Sequence, residues 1–306
     1  MENIRGYLSI IGATIFWGIS ATTAKFLFIR DINPLILVQT RMTFSCISLF
    51  LFFLWNDRTV FKVHLNDLSG FALLGIIGVA GSNITYYYII NATNVATGIL
   101  LQYMAPLLVL GFAVIKRNEE LSPVKFLAAI ISLAGCFLAV RGERVSFLHL
   151  SAFGIIMGIS TPVVWAFNNI SLRHLLNRHR VWTVTMYAFI FATIFWMFFN
   201  PPWKLVTAGY SAKTWGVFFI FAMMSVLIPH SLYFIGMQYL TASRAIITAS
   251  FEPVVAIGSA FIFLRESLTP VQIGGAALVI AAILLLQYKK ESGAVLTDQN
   301  ISMKIE

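Results

Sequence analysis

Residues 249–270 read ASFEPVVAIGSAFIFLRESLTP, a run with no charge between Arg244 and Arg265 except Glu252, which stands next to Pro253. An earlier stretch, LQYMAPLLVLGFAVIKRNEELSP at residues 101–123, has the same layout but carries Ala105 where Glu252 stands. An offset of 147 lays Pro106 on Pro253, Glu119 on Glu266, Leu121 on Leu268 and Pro123 on Pro270. A second pair agrees. IGATIFWGISATTAK (11–25) matches ISTPVVWAFNNISLR (159–173) at an offset of 148, which brings Trp17 onto Trp165 and Lys25 onto Arg173. The chain reads as two related halves.

Composition says what the halves are made of. Of 306 residues 59% are hydrophobic and 11% charged, and the mean hydropathy is +0.85, too apolar for a water-soluble surface. Apolar runs near the length needed to cross a bilayer fall at 7–29, 34–54, 68–90, 96–116, 123–140, 149–171, 181–199, 213–236, 243–263 and 270–287. Punctuation at Asn33-Pro34, Ser122-Pro123, Asn200-Pro201-Pro202 and Thr269-Pro270 separates them. The first run has an internal partner in the second half, which argues against a cleaved signal sequence.

The expected fold is an all-α integral membrane protein of ten transmembrane helices in two five-helix repeats, 1–145 and 146–290, followed by a flexible cytoplasmic tail at 291–306. Five is odd, so the second half enters the membrane from the opposite side, and the repeats are inverted. Such architecture belongs to secondary transporters that expose one central site alternately to either side.

The net charge of +9 is spread between apolar runs rather than gathered in a basic domain, so it reads as topology and contact with lipid headgroups, not nucleic acid. Of the 21 Lys and Arg, Arg30, Arg141, Arg144, Lys204, Lys213 and Arg265 fall on one side, and Lys25 and Arg41 lie within spans near it. The rest gather on the N-terminal side, which puts both termini in the cytoplasm. Cys46 and Cys136, both in apolar runs, offer neither a disulfide framework nor a metal site. No metal-binding spacing, Walker loop or cofactor motif appears.

The paired segments, each with a proline inside a helix (Pro106, Pro253) and an acidic turn before Leu-Ser-Pro or Leu-Thr-Pro, resemble the EamA family of the drug/metabolite transporter superfamily. The small-residue last helix, with Gly274-Gly275-Ala276, fits the same pattern. The resemblance covers about Tyr7 to Gln287. It implies ten helices around a central cavity, and export of small metabolites, commonly amino acids, across a bacterial or archaeal inner membrane.

Several residues are candidates for carrying cargo or coupling. Glu252 lies eight residues past Arg244, about 12 Å along a helix, where a carboxylate must face a cavity, find a partner or carry a proton. Pro253, and Pro106 in the first half, break the helix and free backbone polar groups. His230 is the second central ionisable group, with Asn83 at the equivalent place in the first half. Trp17, Trp165, Tyr87 and Tyr103 offer rings and polar edges to a zwitterion, while Thr22, Tyr86, Gln102, Asn168, Asn169 and Tyr233 join the same mid-span set. His64, His149, His174 and His179 fall at loops or span ends. The expected partners are a small, zwitterionic molecule and membrane lipid, with no obligate protein partner. The alternative is a multispan membrane enzyme acting on a lipidic substrate, with Glu252 and His230 as acid and base.

Overall fold

Proline and a polar cap together set three of the helix starts. Asn33 Oδ1 accepts from the amides of Leu35 and Ile36, opening a helix at Pro34, and the hydroxyl of Ser122 accepts from Val124, opening another at Pro123. Thr269 and Gln272 cap each other: the Thr269 amide donates to Gln272 Oε1 and the Gln272 amide donates to the Thr269 hydroxyl. This reciprocal box starts the last helix at Pro270.

The computed structural model describes residues 2–28, 32–92, 95–116, 122–140, 151–264 and 268–288, and among them all regular structure is helical. The helices are α1 (Glu2–Phe28), α2 (Pro34–Asn56), α3 (Leu68–Leu73), α4 (Ser82–Ala92), α5 (Val95–Gln102), α6 (Ala105–Lys116) and α7 (Pro123–Ala139). After them come α8 (Ala152–Leu176), α9 (Val181–Phe199), the short α10 (Trp203–Val206), α11 (Ala212–Ala222), α12 (Ile228–Tyr239), α13 (Ala242–Ala249), α14 (Glu252–Leu264) and α15 (Pro270–Tyr288). Glu119, Leu121, Glu266, His149, the charged residues Arg30, Arg117, Arg141, Arg144 and Arg265, and the tail at 291–306 lie outside the described residues.

Among the described residues, eight helical stretches are long and apolar enough to cross a membrane. Two of the ten expected spans fall short of that measure: Thr97–Ala113 and Pro123–Ala139 are apolar but shorter. At 1.5 Å per residue such helices reach about 25 Å, a little less than the hydrocarbon thickness.

Two kinds of irregularity interrupt the long helices, and each occurs once in either half. α3 passes into α4 through the π-helical segment Leu74–Gly81, and α11 into α12 through Met223–Leu227. α5 and α6 are separated at Tyr103–Met104, and α13 and α14 at Ser250–Phe251. Pro106 and Pro253 are the second residues of α6 and α14. The carbonyl of Ala249, the last residue of α13, accepts from the hydroxyl of Tyr103 at 2.9 Å.

Packing crosses between the halves. α1 lies against α12, α13 and α14, while α8 lies against α4, α5 and α6; α2 packs on α9 and α7 on α15. The α7–α15 approach depends on glycine: a Cβ on Gly275 would sit 2.3 Å from the Ala139 nitrogen and 2.7 Å from the Gly135 carbonyl oxygen. Large apolar side chains such as Phe198, Ile262 and Ile159 remain on the outside, as a lipid-facing surface requires.

Candidate substrate cavity

Where the irregular segments meet, the bundle encloses a cavity of about 430 Å³, a size in the range of small-molecule sites. α1 contributes Trp17 and Ser20, α2 Arg41, α4 Asn83 and Tyr87, α8 Trp165, α12 His230 and α14 Glu252. The cavity thus draws on both halves. Its lining reaches Ala24 and Ile90, close to the ends of α1 and α4 on the face opposite the N-terminus.

One wall is aromatic. The Trp17 ring lies 6.2 Å from Trp165 and 5.2 Å from His230, both edge-on, and 5.3 Å from Tyr233. The hydroxyl of Tyr233 donates to Asn169 Oδ1, and the Asn169 amide donates to the Trp165 carbonyl, so this wall is fixed from behind. His230 Nδ1 lies 3.0 Å from the Val226 carbonyl, within the turn that follows the π-helical segment.

Glu252 is 9% exposed and is held by Tyr103, whose hydroxyl donates to Oε2 at 2.7 Å. Tyr103 is itself buried and stands behind the carboxylate rather than in the cavity lining. Of the residues singled out in the sequence, Trp17, Asn83, Tyr87, Trp165, His230 and Glu252 line one cavity, as do Tyr86 and Gln102. Thr22 is elsewhere, with its hydroxyl 2.6 Å from that of Ser259 as a tie between α1 and α14. Asn168, Asn169 and Tyr233 are buried within the bundle.

Arg41 is the residue that sequence reasoning passed over by counting it among the topology charges. It lies seven residues past Pro34, about 10 Å into α2. Its Nη2 donates to Asn83 Oδ1 at 2.6 Å, and its guanidinium carbon stands 5.0 Å from the centre of the Tyr87 ring. A lone arginine that deep in an apolar span was the available signal. The repeat offsets of 147 and 148 put Ala188 and Phe189 opposite it. The cavity's cation therefore belongs to the first half alone, and its carboxylate to the second. Among the described residues no group of His, Cys, Asp and Glu has the grouping of a metal site.

The model of the EamA-like transporter family matches this chain twice, at residues 4–141 and 152–288. The chain is 22% identical to the uncharacterized inner membrane transporter YicL of Salmonella typhimurium, over 92% of this chain and 95% of that protein. It is 28% identical to the threonine/homoserine exporter RhtA of Escherichia coli K12, over 71% of each. A solved crystal structure, 16% identical, superposes with a TM-score of 0.72 over 92% of this chain and 96% of the other, a likeness of fold. With both halves of its sequence matched by the family model, and both halves lining one cavity, the chain belongs to the EamA-like transporter family.

Proposed function

We propose that this membrane transporter is a secondary exporter of amino acids or similar small polar metabolites, working by alternating access through the central cavity of two inverted five-helix repeats. The observation that carries the reading is the cavity itself, closed in by both halves and holding a guanidinium, a carboxylate and an aromatic wall. Support for the repeat comes from the packing: the first helix of each half lies against the helices that make up the third and fourth spans of the other, α12, α13 and α14 for α1, and α4, α5 and α6 for α8. The twofold match of the family model points the same way. The similarity to a threonine/homoserine exporter favours amino acids among polar cargoes. The excess of Lys and Arg on the N-terminal side favours cytoplasmic termini in a bacterial or archaeal inner membrane.

The test is flux through the full chain in liposomes. Radiolabelled L-amino acids are expected to cross unchanged; a chemically altered product would point to a membrane enzyme instead. Glu252 is proposed either to pair with the cargo ammonium or to carry the coupling proton. Glu252→Gln preserves shape and hydrogen bonding but removes titration. Loss of pH-gradient-driven flux with binding retained would assign it the proton, whereas weakened binding without a gradient would assign it the cargo. Wild-type behaviour in both assays would defeat both roles.

A further inference from the structure

We propose that Arg41, held in place by Asn83 and Tyr87, is the cavity's receptor for the carboxylate of the cargo. The inference rests on the transport reading and adds to it a residue and the cargo group that residue reads.

Arg41 is 8% exposed and, among the described residues, has no carboxylate partner. Its polar contact is the neutral amide of Asn83, and the Tyr87 face covers the guanidinium. A cation in so apolar a place is expensive unless it meets an anion, and the described residues place none beside it. Asn83 occupies Nη2, while Nε is buried with no hydrogen-bond partner. The fork is thus only partly used, and two adjacent N–H groups are what a carboxylate accepts in bidentate fashion.

The support around Arg41 is built to hold it still. Asn83 Nδ2 donates to the Val79 carbonyl at 2.7 Å, which fixes the amide so that Oδ1 faces the guanidinium. Val79 lies in the π-helical segment, so the irregular turn helps aim the cavity's cation. Glu252, on α14, places a carboxyl group in the same cavity, hydrogen-bonded to Tyr103 rather than to Arg41. A guanidinium and a carboxyl group that share a cavity without pairing leave room for a molecule carrying the complementary pair. A zwitterion, its carboxylate on Arg41 and its ammonium towards Glu252, neutralises both.

The experiment uses the full chain in liposomes and a panel of radiolabelled probes: the L-amino acids, simple alkylamines and uncharged sugars. For the amino acid that crosses fastest, unlabelled carboxylate and carboxamide forms then compete for transport. In the wild type the carboxylate is expected to compete about tenfold or more better than the carboxamide. Arg41→Gln should level the two, and Arg41→Lys, which keeps the charge but loses the fork, should retain part of the preference. Equal competition in the wild type, or full discrimination retained in Arg41→Gln, would overturn the assignment. Should Arg41→Gln not fold, the wild-type comparison and Arg41→Lys decide. Transport of amines or sugars but of no amino acid would defeat the carboxylate receptor while leaving the transporter reading standing. Passage of no probe would count against the transporter reading itself.

Discussion

The Tyr103 hydroxyl has one hydrogen and two acceptors within reach, the Ala249 carbonyl at 2.9 Å and Glu252 Oε2 at 2.7 Å. With Glu252 ionised, the hydrogen belongs on the carboxylate. With Glu252 protonated, the carboxyl donates to the tyrosine oxygen and the hydrogen turns to the Ala249 carbonyl. Tyr103→Phe removes both arrangements and is expected to cost about 1–3 kcal/mol, the usual penalty for a buried polar group left unpaired. Tyr88→Phe is a control, because the Tyr88 ring packs on Phe153 and its hydroxyl makes no described hydrogen bond. Equal melting temperatures in detergent for the two variants would refute this account of Tyr103. Glu252 was legible from sequence because it is the one charge in a long apolar run. Its partner was not, since Tyr103 is 149 residues away and only the crossing of two broken helices brings them together. Arg41 failed for a different reason: a cation in a span near one membrane face reads equally well as a topology signal, and only its place in the cavity, with no anion beside it among the described residues, separates the two.

Among the elements, the starts of α2, α7 and α15 could be read directly, because a cap and a proline act within three or four residues. The π-helical segments could not, for LGIIGVAG and MMSVL are ordinary apolar helix letters, and the widened turns arise where neighbouring helices press close. Gly75 and Gly78 mark such places: a Cβ at the first would meet the Ala188 carbonyl at 2.7 Å, and at the second Asn168 Oδ1 at 2.8 Å. The α7–α15 contact gives the sharpest element-scale test. A Cβ added to Gly274 would meet nothing within 4 Å, whereas one on Gly275 would collide with α7 backbone. Gly274→Ala should therefore be neutral or stabilise by up to about 1 kcal/mol through helix propensity, and Gly275→Ala should destabilise by about 1–3 kcal/mol through overpacking. Opposite signs in thermal melts of the two adjacent variants are the expected result; the same sign and size would mean that the two helices stand further apart.

At the scale of the whole molecule, the cavity extends towards the face opposite the N-terminus, while the N-terminal face is tied across the halves. Arg180 Nη1 lies 3.2 Å from Asp57 Oδ2 and donates to the Thr59 hydroxyl at 3.0 Å, and the Tyr187 hydroxyl donates to the Phe61 carbonyl at 3.0 Å. Hydrogen bonds from Thr59, then the charge of Arg180, hold the Asp57 carboxyl below its ordinary value, so the tie is formed at neutral pH. His179 Nε2 approaches Asp67 at 3.7 Å, yet burial outweighs the carboxylate and pushes the imidazole below its usual 6.5, so at pH 7 this contact is neutral and no ion pair. A depressed histidine stabilises the fold fully above the unfolded value and loses that contribution as pH falls through its lower folded value. Acidification from about 6.5 downwards should thus lower the melting temperature, and His179→Gln should flatten that fall; an unchanged slope would remove His179 from the account. The last prediction concerns the tie itself. Arg180 and Asp57 are 45% and 31% exposed, so water screens the pair, and it can bias a two-state population by about fivefold at most. On the alternating-access reading, Asp57→Asn should shift the protein towards the state open at the N-terminal face by no more than that. A cysteine placed at the cavity-lining Ala21, with Cys46 and Cys136 replaced by alanine, reports the shift through an impermeant maleimide applied to vesicles of either orientation. Labelling from the N-terminal face should rise and labelling from the other face should fall. A rise from both faces would indicate general loosening, and no change from either would mean that these surface contacts do not hold that end closed.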